Sequence, residues 1–253
     1  MKLDYATLIS PYPYYIEGIG NVKCPTLKEI WNPEITYQGY STFLTLLLLT
    51  PQTYLEQVNP SQNFSLPDAN ITMFDLIAND KTLQEQYCVV FSFFLEEDVS
   101  WDNTYGFITY MTIDDSNEPS IKGVINKDLF NIVCDIILQR CDVNRKDSDV
   151  DTSKVENKRA LEILKKIQKN RKSVLHNSAH DKDMDLPNLI ASVAVKSNSI
   201  NYTNIWDLTV FQLYEHFRRE QNNVYFNIQQ MSVAAWGDTK RTFKGNEWFK
   251  NNN

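Results

Sequence analysis

Three features of the sequence predict a mainly α protein of the α+β class: a helical domain with a small antiparallel β-hairpin, then a C-terminal helical region. Apolar residues recur at helical spacing in successive stretches along the chain. Clear period-two alternation is confined to "YGFITYMTI", residues 105–113. Glycine is scarce, seven in 253 residues, under half the usual share of about 7%. That scarcity argues against a barrel of tight turns and against Gly-rich nucleotide loops.

The elements follow in order. Pro11 and Pro13 in "SPYPYYIEGIG" should keep the first two dozen residues extended and turn-rich. Pro25 suits the first turn of a short helix in "PTLKEIW", which Pro33 stops. Residues 36–50 read as a buried helix, with Tyr40, Phe43, Leu44, Leu47 and Leu48 on one face. Pro51 either ends that helix or opens another through "QTYLEQV". Pro60 and Pro67 bracket a polar loop.

A helix is expected from Thr72 to about Leu95, the rival being a strand over "YCVVFSFFL". The only sheet expected lies within 99–125, where "YGFITYMTI" and "IKGVI" pair across "DDSNEPS". Asn126 then caps a helix carrying Leu129, Phe130, Val133, Ile136, Ile137 and Cys141 on one face.

Composition changes at 142–153, "DVNRKDSDVDTS", which reads as an exposed linker between an N-terminal α+β domain, 1–141, and a C-terminal helical region, 154–253. Ser153 and Glu156 form a capping box before a basic helix. Pro187 opens a short helix through "NLIASVAVKSNS". Asn204 is expected to cap the last helix, 204–228, along which Trp206, Val210, Leu213, Phe217, Val224, Ile228 and Met231 form a stripe that Leu208, Phe211, Tyr214 and Tyr225 widen. A helix so widely apolar has to be covered by the N-terminal part or by a partner. The polar tail after it is too weak to do so.

A net charge of −7 makes broad attraction to DNA unfavourable. The four cysteines form no CxxC pair, which fits reduced, buried thiols in a cytoplasmic protein. Pro and Tyr interrupt the first sixteen residues where a signal peptide would be apolar, and "FLTLLLL" is too short to span a bilayer, so no membrane association is expected.

Standard catalytic motifs are missing: there is no GxxxxGK[ST], GxGxxG, GxSxG or HExxH. His176 and His180, and the acidic strings Asp147-Asp149-Asp151 and Asp181-Asp183-Asp185, lack the further ligands of a metal or calcium loop and read as solvated turns. Glu96, Glu97 and Asp98 are sequence neighbours, unlike the spaced carboxylates of a glycosidase, and read as turn and edge residues. No enzyme activity and no cofactor are expected. Lys158, Arg159, Lys165, Lys166, Lys169, Arg171 and Lys172 are candidate phosphate contacts, set against the plainer reading of a wet helix face.

"YPYYIEGIGNVKCPTLKEI", residues 12–30, and "SINYTNIWDLTVFQLYEHFRRE", residues 199–220, resemble the opening and the C-terminal helix of tail assembly chaperone-like proteins from the tail-gene clusters of phages of Gram-positive bacteria. The resemblance implies a non-enzymatic protein that holds a tail component, typically the tape measure protein, before tube assembly. Partner-binding or self-association would then use Trp206, Val210, Phe211, Leu213, Tyr214, Phe217 and Tyr225. The other readings are a nucleic-acid-binding or packaging adaptor using the helix 154–172, and a structural component of the virion.

Overall fold

Prolines keep residues 10–13 out of a helix, yet the segment around them is more ordered than its composition implies. The computed structural model describes residues 1–58, 71–112, 119–143, 185–238 and 242–249. Before the prolines lies α1 (Tyr5–Ile9), begun by Asp4, whose carboxylate accepts the Thr7 N–H at 2.6 Å. After them, β1 (Tyr14–Ile16) and β2 (Gly20–Val22) pair antiparallel, with Tyr14 opposite Val22. This sheet corrects the expectation of a single one. Strands of three residues are too short to display an alternating pattern.

The short helix expected at "PTLKEIW" is α2 (Leu27–Ile30), but Pro25 lies before it. Thr26 is the cap, and with Glu29 it forms a capping box. Next come α3 (Thr36–Leu48) and α4 (Pro51–Val58), so Pro51 opens a helix. The helix expected from Thr72 to Leu95 is two helices, α5 (Met73–Ala78) and α6 (Lys81–Phe94). Asp80 divides them, because its carboxylate accepts the N–H groups of Thr82 and Leu83 and so restarts the helix. "YCVVFSFFL" is helical, which decides against the strand.

The expected hairpin is two strands of a three-stranded antiparallel sheet, β3 (Asp98–Asp102), β4 (Gly106–Thr112) and β5 (Pro119–Ile125), in that order. A register shift between Thr109 and Tyr110 marks a bulge in the β4–β5 pairing. Asn126 caps α7 (Lys127–Arg140) as its sequence predicts. Two more helices are described, α8 (Leu186–Lys196) and α9 (Val210–Trp236). The α+β class holds.

The chain divides into two compact units, Met1–Val143 with Thr209–Phe211, and Asn144–Leu208 with Gln212–Asn253. Of the expected linker 142–153, only Asp142 and Val143 are among the described residues. The first unit is built on aromatic packing. Phe107 of β4 meets Phe91 of α6 at 5.0 Å and Trp101 of β3 at 4.8 Å, while Tyr87 meets Phe130 of α7 at 5.5 Å. Most of these rings approach edge to face or tilted, the favoured geometry for aromatic pairs.

Buried polar groups fasten the N-terminal hairpin to this core. The Glu97 carboxylate accepts the Asn21 N–H through both oxygens, at 3.1 and 2.9 Å, so Glu97, placed as expected in the bend before the edge strand β3, is a buried anchor. Thr109, fully buried at the bulge, donates its hydroxyl to the Ile19 carbonyl. Val124 donates its N–H to Gly18 O at 2.9 Å. At Gly123 a side chain would collide with that same Gly18 carbonyl, so only glycine admits the approach.

Arg140, at the end of α7, is the largest fully buried side chain among the described residues. Its guanidinium donates to the carbonyls of Thr7 at 3.0 Å, Ser10 at 3.3 Å and Tyr12 at 2.8 Å. Replacing it in Arg140→Met should cost about 3 kcal/mol, since three part-buried carbonyls lose a charged donor. Urea unfolding measures that loss, and hydrogen exchange should quicken around residues 4–14. Asp80→Ala should cost about 1 kcal/mol through the lost cap, read as a lower thermal midpoint.

Candidate functional site

The second unit presents its side chains from two helices. In α8, Pro187 occupies the first turn, where the missing N–H has no helical partner to lose. Leu186, Leu189, Ile190, Val193 and Ala194 follow one another at helical spacing and are buried, while Val195 is exposed.

Between the helices, Asn204 holds a turn together. Its side chain donates to Ser199 O at 2.9 Å and accepts the Asn201 N–H at 2.8 Å. It caps only the single 3-10 turn Ile205–Asp207, with no side-chain capping bond. This corrects the expected helix start, because Asn204 spends its side chain on the turn. The long helix begins at Val210, after Thr209 has bridged to Thr26 within the first unit. It then runs for 27 residues to Trp236, about 40 Å at 1.5 Å per residue, well past the expected end at 228. Gly237, with φ +74, stops it.

The sequence-predicted partner residues meet several environments. Val210, Phe211 and Leu213 are buried. Trp206 precedes the helix, half-buried, its indole N–H donating to Tyr202 O at 3.0 Å. Tyr214 and Phe217 are half-buried, and Tyr225 is exposed. The apolar stripe thus changes character along its length, sealed at its start and open from Val224 onward. Glu215 was not singled out by its sequence, yet it is buried and accepts from Arg219 Nε at 2.8 Å and Arg218 Nε at 3.3 Å. The seven candidate phosphate contacts, Lys158 to Lys172, lie outside the described residues, as do His176 and His180.

Along the open part, Ser192, Val193 and Lys196 of α8 and Phe217, Glu220, Gln221, Val224, Tyr225 and Ile228 of α9 line a groove of about 360 Å³. Its walls are apolar, with Lys196 and Glu220 among the few charged residues there. It is a place to bury a greasy side chain and has no cluster of reactive groups. Val193, Val224 and Ile228 line it without having been chosen from sequence as site residues. Val224 and Ile228 were visible in the stripe, but nothing local separates the open part of a stripe from its sealed part.

The thiols are poorly suited to nucleophilic work at neutral pH. Burial pushes Cys88 up to about 11 and Cys141 well above its ordinary value, so both stay protonated.

Residues 176–253 match the model of a family described as YomV second domain, a phage-associated family. This match, which takes in α8 and α9, supports a phage protein. No curated protein and no solved structure matches the chain. Among the described residues, no helix is long and apolar enough to cross a membrane.

Sealed and open positions should respond differently to truncation. Leu213→Ala should cost about 2–5 kcal/mol as a core cavity, whereas Ile228→Ala should stay within about 0.5 kcal/mol. Chemical denaturation of the two variants checks the contrast, which equal losses would contradict.

Proposed function

We propose that this is a non-enzymatic phage protein of tail assembly, a chaperone or adaptor acting in the host cytoplasm. It holds an amphipathic helical segment of a tail component, such as the tape measure protein, in the groove between α8 and α9. One observation above all supports this reading: an open apolar groove lies within the residues that match a phage-associated family. Helix-in-groove recognition needs such a trough, in which alternate turns of the guest seat apolar anchors while the rim stays polar. Phe217, Tyr225 and Ile228 would contact the guest directly. Val210, Phe211 and Leu213 would support the helix from beneath. The resemblance of residues 12–30 and 199–220 to tail assembly chaperone-like proteins points the same way.

The test is titration of the purified protein with purified segments of the tape measure protein of the phage that encodes this chain. Truncating Phe217, Tyr225 and Ile228 to alanine together should weaken binding at least tenfold, roughly the loss of one hot spot, with the helical circular dichroism unchanged. Affinity that ignores these substitutions, or no binding to any tape measure segment, overturns the proposal.

A further inference from the structure

We draw no further inference here: the strongest candidate, the cavity of about 300 Å³ beside the N-terminal segment that Asp4, Thr7, Ser10, Tyr12 and Arg140 line, carries nothing, because the guanidinium beneath it is fully buried and its terminal nitrogens already donate to the carbonyls of Thr7, Ser10 and Tyr12.

Discussion

A buried guanidinium is the constraint on which the first unit depends. Arg140 ends α7 inside the protein, and its N–H groups reach three carbonyls of the N-terminal segment, those of Thr7, Ser10 and Tyr12. Burial lowers its pKa from the ordinary value, but an arginine stays charged well above neutral pH. A charge in such a place is tolerable only where most of its donors are used, and here the two terminal nitrogens are paired while Nε has no partner. The segment it holds could not order itself: a five-residue helix and two three-residue strands bury too little surface to offset their backbone entropy.

The same device recurs along the hairpin. Glu97 meets the Asn21 N–H, Thr109 meets the Ile19 carbonyl, and Val124 meets the Gly18 carbonyl across the space Gly123 leaves. Backbone groups that a short hairpin leaves unpaired are thus satisfied by more distant parts of the chain. Behind them the aromatic cluster of Phe91, Phe107 and Phe130 supplies apolar burial and a rigid platform. This unit is organised for stability, with its polar side chains turned to structural work.

The second unit is organised differently. Its long helix carries one stripe through two surroundings: Leu213 is sealed, while Val224, Ile228 and Met231 meet solvent. Exposed apolar side chains in one line, beside a groove, are the surface that the proposed helix-in-groove role would use.

Much of the fold was legible in the residues themselves. Asn126 and the apolar face behind it marked α7, Pro187 marked a helix beginning, and the alternation of Phe107, Thr109 and Met111 marked β4, whereas Pro51 read equally as an end or a start. These are local signals, set by dihedral restrictions, capping bonds and side-chain periodicity, so a short window contains them. The candidate site was legible as a stripe but not as a surface. Whether Leu213 or Ile228 faces solvent depends on what lies across from it, and helical spacing is identical at both. Likewise Glu97 looked like an edge carboxylate, and nothing in the sequence singled out Arg140. Only tertiary structure decided that each is buried against backbone some 70 to 130 residues away, because hydrogen bonds between distant segments leave no periodic trace in either one.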